Sequence, residues 1–280
     1  MLSPDFYERL DALYRQGRAQ EARQYLEGLL AEADLDENNH ADRATILNEL
    51  MGHCRTQGDF EACDAALQRL LREIRALRLK GGPEYATFML NIANAYRAMG
   101  KLADAERTFL VVRDIYEAEL PEDDYRLASL YNNLGLTYRA KGELEVARSY
   151  MERALVIVEK LSQSVAIAAS SSNLADLLIE AGDLESAAKH AARARFIFEE
   201  SNTQGVDYSA ALAAEGRIAY LRGDLDLAEE RYRKAADCVF VSFGQTRSYR
   251  TLLSSLAEVL RAQGIDEEAA QIQTEAEQES

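Results

Sequence analysis

A glycine recurs along this chain every 40 to 42 residues, and this spacing constrains the fold more than any other feature. The seven glycines are Gly17, Gly58, Gly100, Gly142, Gly182, Gly223 and Gly264. A small residue follows each glycine by five positions, and apolar residues precede it at the spacing of an amphipathic helix. The copies between Leu90 and Leu161 are the clearest. A helix, a glycine turn and a second helix, written seven times, predict an all-α array of helical hairpins.

The repeats fill the chain, so we expect a single domain over residues 1–280. The predicted repeats cover approximately residues 4–33, 41–79, 83–119, 122–161, 165–200, 207–241 and 246–277. In the second repeat, the second helix is expected to continue to Leu79, where Gly81-Gly82-Pro83 breaks it. The chain has only three prolines, and each lies near the start of a predicted helix, where proline is tolerated.

The formal net charge of −16 argues against a general nucleic-acid-binding surface. No apolar run approaches the roughly 20 residues that span a bilayer, so no membrane partner is expected. The N-terminal residues lack the basic and then apolar pattern of a secretory signal, and a cytoplasmic location is the default expectation. Three cysteines are too few and too irregularly spaced for a disulfide framework.

Two phrases of the sequence share a motif that extends beyond the glycines. The first is Leu134-Gly135-x-x-Tyr138 with Gly142, Ala147 and Ala154, and the second is Ile92-Ala93-x-x-Tyr96 with Gly100, Ala105 and Phe109. This pattern resembles the tetratricopeptide repeat, whose usual unit has 34 residues. The longer unit resembles the variant found in kinesin light chains and many bacterial proteins. The resemblance implies a right-handed superhelical solenoid of seven tetratricopeptide-type hairpins.

On each first helix, the residues eleven, eight, seven and four before the glycine are predicted to face the core. The residues thirteen, ten, six and three before it lie on roughly the opposite side. In the family that the chain resembles, this side lines a concave groove that holds peptide ligands. The candidate peptide-binding residues on or beside it are Arg55, Asn91, Asn94, Arg97, Asn132, Asn133, Arg139 and Asn173.

These residue types suit an extended peptide. A side-chain amide can pair with a backbone N–H and a C=O together, and arginine can hold a carboxylate or phosphate with two bonds. We therefore expect an acidic segment or a C-terminal carboxylate near repeats two to four. The alternative is that these side chains form ordinary solvated surface. The far half is less basic, since Asp176, Glu180 and Glu258 lie on the equivalent face.

The predicted function is a non-enzymatic scaffold or adaptor for a protein or extended peptide, without a cofactor or metal. The three histidines stand in no recognisable nucleophile motif, and no glycine-rich phosphate loop follows a strand. One alternative is a regulatory protein that senses a peptide or a small molecule. Another is a structural scaffold that assembles with copies of itself into a homo-oligomer.

One position departs from the repeat. Glu215 stands where Leu50, Ile92, Leu134, Leu174 and Leu256 stand in other units. A carboxylate at a core-facing position is unfavourable unless it is paired. Arg217 and Arg222 are the expected partners, and the glutamate is either solvated at the edge of the core or part of a polar pocket.

Overall fold

A computed structural model describes residues 2–203 and 205–277, and every regular element in these two ranges is an α-helix. The first seven helices are α1 (Phe6–Arg15), α2 (Ala19–Ala33), α3 (His40–Gln57), α4 (Phe60–Ala76), α5 (Gly82–Ala98), α6 (Leu102–Glu119) and α7 (Tyr125–Ala140). The other seven are α8 (Leu144–Lys160), α9 (Ser164–Glu180), α10 (Leu184–Glu200), α11 (Val206–Leu221), α12 (Leu225–Phe243), α13 (Arg247–Gln263) and α14 (Asp266–Glu277). Successive helices pack as hairpins, from α1–α2 to α13–α14. The all-α fold and the seven hairpins are therefore confirmed.

The turn inside each hairpin depends on its glycine. Gly58 and Gly142 have φ values of 75° and 79°, in the left-handed region that side chains disfavour. The residue after Gly58 then donates its N–H to the carbonyl of Cys54 at 3.0 Å, which closes the end of α3. Asp59 also caps α4, because its side chain accepts the N–H of Ala62. The fixed glycine spacing therefore follows from this turn.

The end of α4 differs from the sequence-based prediction. The helix stops at Ala76 and does not reach Leu79. Arg78 adopts a left-handed φ of 55°, and the N–H of Leu79 donates back to the carbonyl of Ile74 at 3.3 Å. This backbone closure ends the helix before Gly81 and Gly82. The residue types at positions 77–80 do not indicate a helix end, so the sequence alone does not predict it.

The core forms from the predicted positions. In α3 and α13, all four residues at eleven, eight, seven and four positions before the glycine are buried. The chain divides into two compact units, Met1–Pro121 (unit 1) and Glu122–Ser280 (unit 2). One buried apolar cluster runs from Phe6 to Ala95 in unit 1, and another from Ala168 to Ala276 in unit 2. A single domain over residues 1–280 stays a prediction.

The small residues of the motif allow close helix packing, and Gly135 is the tightest case. A Cβ added at Gly135 would lie 2.5 Å from Met151 Cγ and 3.2 Å from the carbonyl oxygen of Ala147.

We expect Gly135→Ala to lower the free energy of unfolding by about 1–2 kcal/mol, because overpacking outweighs the better helix propensity of alanine. Gly28→Ala, on α2 with no atom within 4 Å of the added Cβ, should instead stabilise by about 0.5–1 kcal/mol. Urea denaturation of the two variants checks this, and equal effects would contradict the packing argument.

Candidate functional site

The first helices of unit 1 carry half of the predicted site residues. Helices α3 and α5 contact each other directly, although they belong to different hairpins. Asn91, Asn94 and Arg97 follow one another at steps of three on α5, so they lie along one side of that helix. Together with Asn48 and Arg55 on α3 they define a polar surface, which we call the α3–α5 face.

Asparagine pairs connect the first helices. Asn91 Nδ2 donates to Asn48 Oδ1 at 3.0 Å, and in unit 2 Asn173 Nδ2 donates to Asn132 Oδ1 at 2.9 Å. Both pairs join the residue ten before one glycine to the residue nine before the next. Because an amide has two donors and an acceptor that takes two bonds, each pair retains capacity for a further partner. The pairs hold the amides in a fixed orientation.

Arg55 and Arg97 bring two positive charges together without an acid between them. Burial lowers the pKa of the Arg97 guanidinium, and the charge of Arg55 lowers it further. The Nε–H of Arg97 is buried and has no hydrogen-bond partner. Within the described ranges, neither arginine forms an ion pair, whereas Arg18, Arg23 and Arg139 each do. An anion bound to the two guanidinium groups would offset the repulsion between their positive charges.

The surface changes sign toward α1. Burial raises the pKa of Glu49, and the nearby carboxylate of Asp11 raises it further. Asn48 Nδ2 donates to Glu49 Oε1 at 3.1 Å, which places this acid beside the α3–α5 face. The hydroxyl of Tyr14 lies 3.1 Å from His53 Nδ1, and the two rings stack. An extended ligand on unit 1 would therefore meet acidic and aromatic groups at one end and arginines at the other.

In unit 2, Arg139 has partners within the chain. Its Nε and Nη2 donate to the two carboxylate oxygens of Glu180 at 3.0 and 2.6 Å, and Nη1 lies 3.7 Å from Asp176 Oδ2. The bonds to Glu180 raise the pKa of Arg139 despite its burial. Burial raises the pKa of Asp176, although Arg139 and Arg217 oppose the shift. A ligand anion would have to compete with these carboxylates for Arg139.

The sequence contains a signal for this pairing in the spacing of the two residues. Glu180 lies 41 residues after Arg139, one repeat length further on, so the two face each other on successive first helices. Asp176 and Glu180 lie six and two positions before Gly182. The residues six and two positions before Gly100, which correspond to them for Arg55, are Asn94 and Ala98, and neither is acidic. The residues at these positions therefore distinguish Arg139, which has an acid opposite it, from Arg55, which does not. Asn94 and Asn133 are both partly exposed on their helices.

Glu215 is paired, but with other partners than expected. Among the described residues, neither Arg217 nor Arg222 forms an ion pair with it. Arg195 Nε on α10 lies 3.0 Å from Glu215 Oε1, and Arg231 Nε on α12 lies 2.8 Å from Oε2. Arg217 lies two residues further along α11, on a different side of the helix, which explains the wrong expectation. Glu215, Arg222 and Arg231 line a cavity of about 230 Å³ whose remaining wall is largely apolar, with Ile218 and Leu227 among its residues.

The part of the chain that the structure describes has neither a metal-binding cluster nor a membrane-spanning helix. No group of three histidine, cysteine, aspartate or glutamate side chains could together hold a metal ion there. Among the described helices, none combines the length and the apolar composition that crossing a membrane requires.

Comparisons with known proteins agree with the hairpin architecture. A family model described as tetratricopeptide repeat matches residues 42–118 and 126–200, more than half of the chain. Among curated proteins no match is found. Aspartyl phosphate phosphatase F from Bacillus subtilis is similar in structure, with a TM-score of 0.67 at 14% identity over 99% of this chain and 84% of that one.

Two other solved structures are similar. The Rap conjugation gene regulator of the plasmid pLS20, in complex with the Phr* peptide, has a TM-score of 0.62 at 12% identity over 84% of this chain and 73% of that one. A Podosopora anserina protein of the kinesin light chain type, with nearly identical TPR-like repeats, has a TM-score of 0.57 at 18% identity over 70% of this chain and 95% of that one. At these identities the likeness establishes the fold alone.

Proposed function

The chain belongs to the tetratricopeptide repeat family, and from that premise we propose that it is a non-enzymatic scaffold that binds an extended peptide on the α3–α5 face. The observation that carries the proposal is the pair of arginines, Arg55 and Arg97, which lie together with no carboxylate as partner among the described residues. In a chain of net charge −16, two adjacent cations left without an acid favour a role in binding.

The neighbouring amides suit the rest of such a ligand. Asn48 and Asn91 are joined to each other, so each amide is held in one orientation while it keeps capacity to pair with a peptide backbone. The arginines would take a C-terminal carboxylate or an acidic side chain with charge-assisted bonds. The similar Rap regulator is described in complex with a peptide, which supports a peptide partner here. Asn132, Asn133, Arg139 and Asn173 remain candidates for peptide contacts on unit 2 itself.

A peptide-binding measurement tests the proposal. The probes are fluorescent acidic peptides with a free or an amidated C-terminus, titrated against the full chain. Arg55→Glu combined with Arg97→Glu should weaken binding at least about a hundredfold, since two charge-assisted bonds are replaced by repulsion. Arg148→Glu with Lys189→Glu changes the net charge equally at exposed residues of unit 2, and should change binding little. Equal affinity in both double variants would remove the α3–α5 face from consideration.

Arg97 also allows binding and stability to be separated. Because its guanidinium is desolvated and unpaired, Arg97→Met should raise the free energy of unfolding by about 1 kcal/mol while weakening peptide binding. A residue that serves only the fold would show the opposite sign in a urea titration. Lower stability in Arg97→Met would therefore contradict a binding role for this side chain.

A sensor of small molecules is a second candidate, favoured by a cavity in unit 2. It has a volume of about 450 Å³ and is lined by Asp176, Arg217 and Tyr232, with several serine and threonine residues. A change in the radius of gyration on ligand addition, measured by small-angle scattering, would favour sensing over scaffolding.

A structural protein that assembles with copies of itself is the third candidate. Sedimentation at two protein concentrations tests it, and a monomer at both concentrations would exclude it. The similar phosphatase of Bacillus subtilis makes a phosphatase assay a useful control.

A further inference from the structure

A cavity opens in unit 1 at the junction between α4 and α5. Its volume is about 600 Å³, within the range of roughly 300–1,000 Å³ typical of small-molecule sites. The apolar part of its wall consists of Leu71, Ile74, Leu79, Tyr85 and Met89. No residue of the α3–α5 face lines it, so it is separate from the site proposed above and does not depend on that proposal.

The backbone of the junction explains the space. Helix α4 packs against α5 less extensively than α10 packs against α11. Arg78, Gly81 and Gly82 have φ values of 55°, 72° and 77°, which turn the chain sharply between the helices. The bond from Leu79 N to Ile74 O holds this turn in place. The cavity and its rim are therefore built by ordered backbone.

Cations surround the opening. Arg75, Arg78 and Lys80 all line the cavity and are exposed. Residues 69–80 contain five basic residues and one carboxylate, within a chain of net charge −16. None of the three lining cations has an ion pair among the residues that the structure describes. Arg75 in the last turn of α4 suits the helix dipole, but Arg78 and Lys80 lie beyond the helix, so that explanation does not cover them.

The other repeats provide an internal comparison. Arg75 lies 17 residues after its turn glycine, and at this position four other repeats have an acid: Asp34, Glu117, Glu159 and Glu199. Three of these acids pair with a cation eleven residues after the next glycine. These pairs are Arg69–Asp34 at 2.8 Å, Arg193–Glu159 at 2.5 Å and Lys234–Glu199 at 3.4 Å. An ion pair between successive second helices is thus a regular feature.

Between the second and third repeats this ion pair is absent and the charge is reversed. Arg75 takes the place of the acid, and Val111 takes the place of the cation, with 42% of its surface exposed. The reversal removes a favourable interaction that other repeats make, and it occurs next to the cavity. A surface that is basic at its rim and apolar at its wall is complementary to a molecule with an anionic head and an apolar tail.

We propose that this cavity binds an amphipathic anion, a carboxylate or phosphate head group carrying a hydrocarbon chain. The head group is held by Arg75, Arg78 and Lys80, and the chain lies against Tyr85 and Met89. Burial of the chain supplies most of the affinity, and the cations select the head group.

Isothermal titration of the full chain with dodecanoate, dodecyl phosphate and dodecyltrimethylammonium, each below its micellar concentration, tests the proposal. We expect saturable binding of one or both anions at a single site, weaker binding of octanoate, and no binding of the ammonium compound. The preferred anion identifies the head group. Arg75→Glu combined with Lys80→Glu should weaken the binding of the anions at least about tenfold. At position 75 this change restores the acid that four other repeats carry, so the fold should tolerate it.

The matched control is again Arg148→Glu with Lys189→Glu, which gives the same net charge through residues of unit 2 that do not line the cavity. Equal affinity of dodecanoate and dodecyl phosphate for the two double variants would overturn the proposal, as would failure of both anions to bind the unaltered chain. Binding of dodecyltrimethylammonium as tight as that of dodecanoate would also overturn it, because the cations would then select nothing. The neutral variant Arg75→Gln, with a smaller expected loss, provides a second measurement if the double variant melts early.

Discussion

Arg43→Ala is expected to lower the free energy of unfolding of unit 1 by about 3 kcal/mol, a drop of roughly 10 °C in melting temperature. Arg43 is only 6% exposed and donates to the carbonyls of Asp36 and Glu37 at 2.6 and 3.0 Å. It thereby satisfies the backbone between α2 and α3, and it also reaches Glu73 Oε2 at 3.2 Å. Truncation leaves these acceptors without a donor, so the desolvation cost is not recovered. Urea denaturation measures the loss.

Arg69→Ala is the matched control, because Arg69 forms a more exposed ion pair with Asp34. This variant should lower the free energy of unfolding by about 1 kcal/mol or less.

The pH dependence of stability provides a second test. Burial alone would raise the pKa of Glu73, but hydrogen bonds from His40 and Arg43 leave it below its ordinary value of 4.5. The contribution of this carboxylate is therefore complete above about pH 4.5 and is lost as the pH falls through the folded-state pKa. Equal costs for both variants, or no weaker acid dependence in Arg43→Ala, would contradict this account.

The second large effect concerns the ion-paired group of α10, α11 and α12. Glu215→Ala should destabilise unit 2 by about 2 kcal/mol, because it leaves Arg195 and Arg231 partly buried without the acid between them. The estimate is moderate because each arginine keeps another partner, Glu199 or Glu230. Thermal and urea unfolding of the variant measure it.

A triple variant separates charge from packing. Glu215→Leu and Arg231→Tyr give the sixth hairpin the residues that the fourth carries at the same places, Leu134 and Tyr150. Arg195→Leu gives the fifth hairpin the residue that the fourth carries at the same place, Leu155. Replacing a whole buried ion group by apolar residues is often neutral or stabilising, so this variant should be at least as stable as the natural chain. If it loses as much stability as Glu215→Ala, the loss comes from shape and not from unpaired charge.

The hairpins were predictable because two strong local signals coincide at the same period. The turn glycine, as at Gly58 and Gly142, has left-handed backbone, which favours glycine at this position of the repeat. The residue five positions later, as at Ala147, lies where two helices approach closely, which favours a small side chain. The end of α4 was not predictable in the same way. Leucine, arginine and lysine all favour helices, and the helix ends at Ala76 through the left-handed backbone of Arg78 and the bond from Leu79 to Ile74.

The candidate site was predictable in its location on the first helices but not in its pairing. The sequence does not show whether an arginine side chain has an acidic partner. The structure distinguishes Arg139, which donates to Glu180, from Arg97, whose Nε–H has no hydrogen-bond partner. Glu215 was recognised as unusual from its neighbours in the repeat. Its partners could not be identified because Arg195 lies on a different hairpin and reaches the glutamate through tertiary packing.

The central claim is that Arg97 holds the anionic group of a peptide on unit 1. Nuclear magnetic resonance of the arginine Nε–H groups in selectively labelled protein tests it most directly. When an acidic peptide with a free C-terminus is added, the Nε–H signal of Arg97 should shift and saturate with the binding curve, because an anion bound to the guanidinium changes the surroundings of this group. A peptide that saturates the protein while the Arg97 signal stays unchanged would contradict the claim.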